Sequence, residues 1–249
     1  MANPLPPPEQ KAVYVREMFG RIAGHYDLMN HLMTFGRDRA WRRFTVAQTR
    51  RLPPTSSTGG EGEREWRVLD VATGSGDLAF EALRQQPCAQ VVGLDFTPEM
   101  LTLAKQKGHG MGIIPYLMAG DALRLPFADG AFDSVVTGFA MRNVTDIPAA
   151  FAEMARVTRC GGKVACLEIA KPRLPLFRRL FAFYFYRLVP LLGKWVSGER
   201  SAYTYLPHSL TAFLTPDEIV KVMQKTGWCE VSYRRLMFGT VAVHVGIRA

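Results

Sequence analysis

The feature that most constrains this chain is an apolar run that leads directly into two closely spaced glycines. The residues from Arg67 to Val71 predict a buried β-strand, and Gly74 and Gly76 permit the sharp backbone turn that follows it. A helix is expected next, and its first backbone N–H groups have no partner inside the helix. Strand, glycine turn and helix in this order predict a pocket for a nucleotide-like ligand.

Two ligand classes fit this turn. Residues 74–79 match the Gly-x-Gly-x-x-Gly/Ala pattern of dinucleotide-binding enzymes, and Asp95 follows at about the expected 20 residues. The alternative is a methyl-donor site, in which Asp70 orients the turn and the donor's amino-acid part while Asp95 holds the ribose hydroxyls. The plainer interpretations are a turn-stabilising carboxylate for Asp70 and a helix N-cap for Asp95.

Asp121 and Ala122 favour the methyl donor. The pair precedes the strand-like run 132–138, and S-adenosylmethionine enzymes place such a pair against the adenine. A nicotinamide-dependent oxidoreductase, which remains the alternative, has no need for it. We therefore predict S-adenosylmethionine as the cofactor.

The remaining chain alternates short apolar runs with helix-like segments, which predicts a doubly wound, mostly parallel sheet with its ligand at the carboxyl ends of the strands. We expect the turn 160–162 to end the helix before it, as a glycine at the C′ position often does. Thr215 should cap a helix at 216–226. Further strands are expected at 90–95, 114–118, 132–138, 163–169, 230–236 and 240–247, and further helices at 98–107 and 147–158.

Length and composition favour one integrated domain, because 249 residues with 48% hydrophobic content can bury a full core. A Pro/Ser/Gly-rich break at 52–63 divides an N-terminal arm with helices, residues 1–63, from a core of residues 64–249. Residues 172–214 are too long for a simple crossover and predict a helical lid. This lid either packs as an insertion with a solvated basic face or also contacts a bilayer, and the two interpretations are compatible.

The net charge of +9 is concentrated in two basic runs, one at 37–51 and the other at 171–200. Such runs suit anionic lipid headgroups or nucleic acid, so an RNA methyltransferase stays open as an alternative. Residues 1–8 lack the features of a signal peptide, which favours a cytoplasmic protein. No metal is expected, because the histidines lack ligand spacing and the four cysteines are expected to be reduced core residues: Cys88, Cys160, Cys166 and Cys229.

Four motifs make the chain resemble the UbiE/MenG-type C-methyltransferases of ubiquinone and menaquinone biosynthesis, from about Val15 onward. They are the glycine turn, residues 18–30, with Tyr-Asp-x-Met-Asn, residues 36–43, and residues 138–146, with Arg-Asn-Val-Thr-Asp. The resemblance implies a Rossmann-like class I S-adenosylmethionine-dependent fold, with a seven-stranded sheet, N-terminal helices and a helical lid. One departure is Gly138, where several relatives have a serine.

The resemblance also implies site residues. The cofactor should be bound by Asp70, Thr73, Gly74, Ser75, Gly76, Asp95, Asp121, Ala122 and Gly138. The acceptor should contact Tyr26, Asn30, Asn143, Tyr203 and His208, and the catalytic candidates are Arg142, Asp27 and His25.

The implied reaction moves a methyl group to a ring carbon of a prenylated quinol, which requires removal of a hydroxyl proton. Arginine is a poor base at its usual pKa, so we assign Arg142 to orienting a water or stabilising the quinolate oxygen. His25, Asp27 and His208 remain candidates for the base. The expected partners are the quinol and an anionic membrane, with no nucleic acid. The acceptor ring, the tail length and the oligomeric state, a homodimer among the options, stay open.

Overall fold

The computed structural model describes residues 5–50 and 65–249. The helices are α1 (Lys11–Ile22), α2 (Tyr26–Met33), α3 (Asp38–Thr49), α4 (Asp77–Gln85), α5 (Pro98–Met111), α6 (Ile147–Val157), α7 (Pro175–Phe183), α8 (Val189–Ser197), α9 (Arg200–Thr211) and α10 (Pro216–Lys225). The strands are β1 (Arg67–Val71), β2 (Gln90–Asp95), β3 (Tyr116–Ala119), β4 (Phe132–Gly138), β5 (Thr158–Ile169), β6 (Trp228–Leu236) and β7 (Val241–Arg248). The break at 52–63, Arg51 and the first four residues of the arm lie outside the described residues.

The seven strands form one sheet in the order β3-β2-β1-β4-β5-β7-β6. Among the described strands, only β7 runs antiparallel to its neighbours, β5 and β6. This confirms the predicted mostly parallel, Rossmann-like sheet. The order reverses between β1 and β4, so the loops after these two strands diverge and leave a crevice at their carboxyl ends.

The central strands are apolar on both faces, as expected of strands covered by helices on both sides. In β1, only Arg67 at the start is exposed, and the remaining four residues are buried. Asp70 is therefore the one carboxylate of β1, and it is carried into the interior by the strand around it. The fold thus delivers this acid to the crevice.

The prediction for the Gly161–Gly162 turn was wrong. Helix α6 ends at Val157, and β5 begins at the next residue, so both glycines lie inside the strand. The register with β4 shifts there, since Phe132 pairs with Thr158 but Ser134 pairs with Lys163. The glycines form a bulge, because Gly161 takes a φ of +73° and a Cβ on Gly162 would lie 2.7 Å from a backbone oxygen. The predicted Thr215 cap is confirmed as a full capping box with Glu218.

The cysteine expectation was also wrong in part. Cys166 is buried in β5, but Cys88, Cys160 and Cys229 are exposed. The last two lie in the β5 bulge and on the edge strand β6, where neighbouring residues are also exposed.

The N-terminal helices and the predicted lid share a second hydrophobic core above the crevice. Met18, Ile22 and Met29 pack with Phe185 and Val189 of the 172–214 segment. Within that segment, residues 175–197 run as one helical stretch in which α7 and α8 are joined by a π-helical turn, Tyr184–Leu188. Among the described residues, no helix is long and apolar enough to span a bilayer.

Candidate active site

The glycine turn after β1 is held by the Asp70 carboxylate. Its Oδ2 accepts hydrogen bonds from the Thr73 hydroxyl at 2.6 Å and from the Ala79 amide at 3.0 Å. Gly76 adopts a φ of +85°, and a Cβ there would lie 2.7 Å from the Phe80 ring. Glycine is therefore required at this position by both conformation and space. The turn-stabilising interpretation of Asp70 is thus part of its role.

The second oxygen of Asp70 has no hydrogen-bond partner among the described residues, although it is buried. Burial raises the pKa of this carboxyl to about 7, and the bonds from Thr73 and Ala79 oppose that rise. The residue lines a small cavity of about 30 Å³, which Thr73, Gly74, Ser75 and Gly138 also line. A buried acceptor without a donor beside a cavity suits the ammonium group of an amino-acid ligand.

The Asp95 carboxylate joins the glycine turn to the end of β2. Its Oδ2 accepts from the Gly74 amide at 2.7 Å and its Oδ1 from the Thr97 amide at 2.8 Å. Burial raises the pKa of Asp95. Asp95 lines a second cavity, of about 130 Å³, together with Asp121, Ala122 and Gly138. The structure therefore brings the predicted cofactor residues to two adjoining cavities, while Gly76 lines neither and shapes the turn.

A third cavity is larger, at about 290 Å³, and mostly apolar. It lies between the N-terminal helices, the lid helices and the turn that follows β4. Four residues predicted to contact the acceptor line it, namely Tyr26, Asn30, Asn143 and Tyr203. His208 does not line it, and its ring packs edge-on against Tyr186 at 5.8 Å. His25 is exposed and lines none of the three cavities, so its catalytic role stays a prediction.

Arg142 presents a buried guanidinium to this large cavity. Its Nη1 donates to Glu168 Oε2 at 3.1 Å, and Glu168 Oε1 accepts from the Met141 amide at 2.7 Å. Burial raises the pKa of Glu168, and Arg142 opposes that rise. The Arg142 Nε has no hydrogen-bond partner among the described residues. Sequence reasoning missed Glu168, although a lone acid in the apolar run 166–169 was a usable signal.

Tyr26 and Phe139 form the wall that all three cavities share. The Tyr26 phenol lies beside the Asn30 side chain, and both residues line the large cavity. Burial raises its pKa, which keeps the phenol protonated as a donor. Phe139 adopts a φ of +58°, an uncommon conformation for a bulky residue, and its ring packs edge-on against Trp41 at 6.5 Å. The large cavity therefore opens beside both smaller ones.

A chain of polar contacts ties the N-terminal helices to the glycine turn. The Ser75 hydroxyl donates to Asp27 Oδ1 at 2.6 Å, and Lys107 Nζ lies 2.7 Å from Asp27 Oδ2. Lys107 also pairs with Asp77, whose other oxygen lies 3.0 Å from the Arg42 guanidinium. Asp27 thus binds the turn and lines none of the cavities, so its role as a base stays a prediction.

The sequence analysis placed Arg42 in a basic run and in the motif 36–43, but it selected neither Arg42 nor Asp77 nor Lys107 as a site residue. Arg42 is buried and also pairs with Asp38 one turn earlier in α3. Among the described residues, no group of three His, Cys, Asp or Glu side chains is arranged to hold a metal ion.

Comparison with known proteins identifies related sequences over nearly the whole chain. The model of the ubiE/COQ5 methyltransferase family matches residues 8–248. A demethylmenaquinone methyltransferase of Roseiflexus castenholzii is 48% identical over 99% of this chain and 98% of its own length. A ubiquinone/menaquinone biosynthesis C-methyltransferase UbiE of Desulfotalea psychrophila is 39% identical over 94% of this chain and 90% of its own length.

Solved structures share the fold at low sequence identity. A SAM-dependent methyltransferase of Thermotoga maritima, described as a possible histamine N-methyltransferase, has a TM-score of 0.64 at 16% identity, covering 94% of this chain and all of that one. The [4+2]-cyclase SpnF has a TM-score of 0.63 at 15% identity, covering 94% of each chain. Because a cyclase shares it, the fold alone does not define the reaction. The family match does: the chain belongs to the ubiE/COQ5 methyltransferase family and is an S-adenosylmethionine-dependent C-methyltransferase.

Proposed function

We propose that the enzyme transfers a methyl group from S-adenosylmethionine to a ring carbon of a prenylated quinol, in menaquinone biosynthesis, ubiquinone biosynthesis or both. The observation that carries the proposal is that an apolar cavity of about 290 Å³ adjoins the two donor-side cavities and shares Tyr26 and Phe139 with them. An aromatic ring with an apolar tail suits such a cavity. Demethylmenaquinol is the first acceptor to test, in line with the name of the Roseiflexus relative.

The donor would be held by the residues of the two smaller cavities. The unpartnered Asp70 oxygen would accept the ammonium group, and Asp121 and Ala122 would border the adenine. Asp95 already accepts two amide hydrogen bonds, but a carboxylate has about four lone-pair positions, so it can also accept from ribose hydroxyls. When bound, S-adenosylmethionine supplies an electrophilic methyl carbon on a positively charged sulfur.

The chain's main contribution to the reaction would be alignment and charge stabilisation. In the reaction a ring C–H is replaced by C–CH₃ and one proton is released. Removal of a quinol hydroxyl proton makes the ring carbon nucleophilic, and the Arg142 cation would stabilise the resulting oxygen anion. Glu168 would hold the Arg142 guanidinium in place through their ion pair. The lid helices would exclude water from both reactants, which strengthens these interactions.

The test offers reduced demethylmenaquinone and the benzoquinol precursor side by side to purified enzyme with labelled donor. We expect label in a quinol product, and at least one acceptor should be turned over. Arg142→Gln should lower the rate while leaving donor affinity unchanged, because Arg142 lines only the acceptor cavity. Methylation of RNA with no transfer to either quinol would contradict the proposal.

We also propose a cytoplasmic enzyme in peripheral contact with an anionic membrane. A prenylated acceptor resides in lipid, and the net charge of +9 favours association with anionic headgroups. The same charge is compatible with nucleic acid, but the described polar site residues surround an apolar cavity, which does not suit a nucleotide chain.

A further inference from the structure

The helical stretch 175–197 has apolar residues on two adjoining faces. One face, with Phe177, Phe181 and Phe185, lines the large cavity. The other face is exposed. It carries a row that we call the outer stripe: Leu176, Leu180, Phe183, Arg187, Leu191 and Trp195.

The outer stripe is continuous because of the π-helical turn. Its members are spaced three or four residues apart, and over 19 residues an ideal α-helix would carry such a row about 100° out of line. The turn Tyr184–Leu188 takes up one additional residue, which offsets that drift. The exposed fractions reach 73% for Leu176, 61% for Phe183 and 87% for Trp195. Exposed apolar surface of this extent marks an interaction site.

Charge identifies the partner of this stripe. Between Lys171 and Gly198 the sequence contains six basic residues and no acidic one. Arg178, Arg179, Arg187 and Lys194 are all exposed on the same helical stretch. Large apolar side chains interleaved with cations on one helix suit the interface of an anionic bilayer, where the apolar groups enter the acyl boundary and the cations contact the headgroups.

The mouth of the large cavity lies beside this stripe. Leu180 belongs to both, and Phe35 and Met237 likewise line the cavity while remaining exposed. The exposed Phe238 ring packs against Phe177 at 5.0 Å and extends the apolar rim. A lipid-embedded tail could therefore pass from the acyl boundary to the cavity without crossing water.

We propose that the outer stripe docks on an anionic bilayer and turns the cavity mouth toward the lipid, so that the prenyl tail enters directly from the membrane. This inference rests on the proposed function for the identity of the tail, but the docking itself stands on the stripe and its charges.

The test uses flotation with vesicles of phosphatidylglycerol and phosphatidylcholine, and with phosphatidylcholine alone. The full chain should float only with the anionic vesicles. The double variant Leu176→Ser/Phe183→Ser should bind at least about tenfold more weakly, because two apolar side chains no longer enter the lipid. Arg178→Gln/Arg179→Gln should weaken binding about fivefold per charge at low salt. The matched control is Tyr116→Ser, which removes an equally exposed side chain from β3 at the opposite edge of the sheet.

Fluorescence gives an independent readout. Of the four tryptophans, Trp66 and Trp228 are buried and Trp41 is half-buried, so Trp195 should dominate any shift on vesicle binding. We expect a blue shift that Trp195→Phe removes. Equal flotation of the stripe variant and the full chain would overturn the proposal. So would a concentration-dependent dimer that the stripe variant abolishes without any vesicle binding, because the stripe would then cover a second copy.

Turnover assays distinguish membrane docking from the methyl-transfer reaction itself. With a short-tailed, water-soluble quinol and no vesicles, the stripe variant should match the full chain, because Leu176 and Phe183 line none of the cavities. With long-tailed quinol in vesicles it should be slower in proportion to its lost binding. Equal loss on both acceptors would overturn the proposal. No turnover of any quinol would contradict the proposed function, and flotation would still decide the docking.

Discussion

Donor binding should depend on pH through Asp70. Burial raises the pKa of this carboxyl to about 7 in the ligand-free protein, with Asp95 and Asp77 adding to the rise. The donor's ammonium group has an ordinary pKa of about 8 and stays charged below pH 7. The ionised carboxylate is the form that pairs with it. Below pH 7, Asp70 must therefore release a proton when the donor binds.

The size of the effect follows from that pKa. With a value of about 7, the ionised fraction of Asp70 falls from about one half at pH 7 to about 3% at pH 5.5, so the dissociation constant should rise about 16-fold. About 0.9 proton should be released per donor bound at pH 6. Asp70→Asn should bind more weakly at pH 7 and should lack this dependence.

The stability of the ligand-free protein should depend on pH with the opposite sign to donor affinity, which provides a second measurement. Folding raises the Asp70 pKa from 3.8 to about 7, so the ligand-free fold loses stability as pH rises between these values. The loss above pH 7 is at most about 4 kcal/mol. Asp70→Asn should therefore raise the Tm of the ligand-free protein more at pH 7.5 than at pH 5.

Calorimetry with S-adenosylhomocysteine, which keeps the same amino-acid part, measures both the affinity and the proton release when two buffers of different ionisation enthalpy are compared. Protons taken up or released by groups other than Asp70 contribute equally in the Asp70→Asn variant. The informative quantity is the difference between two slopes of donor affinity against pH, one for the unchanged protein and one for Asp70→Asn. Parallel slopes for the two proteins would refute the assignment of the ammonium group to Asp70.

Three further substitutions test other contacts. Asp95→Ala should severely weaken donor binding measured by calorimetry. It should also lower the free energy of unfolding by about 1–3 kcal/mol per amide, because the Gly74 and Thr97 amides each lose an acceptor. Asp95→Asn is the matched control, and unchanged donor affinity in Asp95→Ala would rule out ribose binding by Asp95. Glu168→Gln should lower the free energy of unfolding by about 3–5 kcal/mol, because Arg142 becomes an uncompensated buried charge. It should also lower kcat more than donor affinity. An unchanged kcat would show that Arg142 does not depend on Glu168. Gly76→Ala should cost about 1–3 kcal/mol and weaken donor binding, since the turn must move away from Phe80. Gly161→Ala has a similar φ but open space, and should leave donor affinity intact.

The positions of the two strand-end acids could be predicted from the sequence for a geometric reason. Asp70 and Asp95 end neighbouring parallel strands, and such ends necessarily meet at one edge of the sheet. Strand identity could be predicted from apolar runs, so the position of these acids followed from their place in the chain. No comparable rule relates Asp27 to Lys107, which are 80 residues apart and meet because α1 and the turn before α2 pack against α5.

The acceptor side was less predictable, because it is built from helices whose orientation the sequence does not determine. His25 precedes α2 by one residue, yet it points to solvent while Tyr26 lines all three cavities. The β5 bulge was misassigned because a Gly-Gly pair after a helix is typical of a C-terminal cap. A strand that begins directly after the helix and contains the two glycines as a bulge gives the same local sequence pattern.

Charge balance explains why the proposed reaction suits so apolar an interior. Arg142 faces Glu168, and the Asp70 oxygen would face the donor's ammonium group, so each fixed charge has an opposite partner before the acceptor binds. The quinolate and the sulfonium would then be the two charges that the reaction removes, because methyl transfer neutralises both together. In a medium of low dielectric constant, such neutralisation is favoured over the separated charges. An unpaired Arg142 would instead stabilise the quinolate so strongly in the ground state that its reactivity would fall, which gives Glu168 a role in the chemistry as well as in the fold.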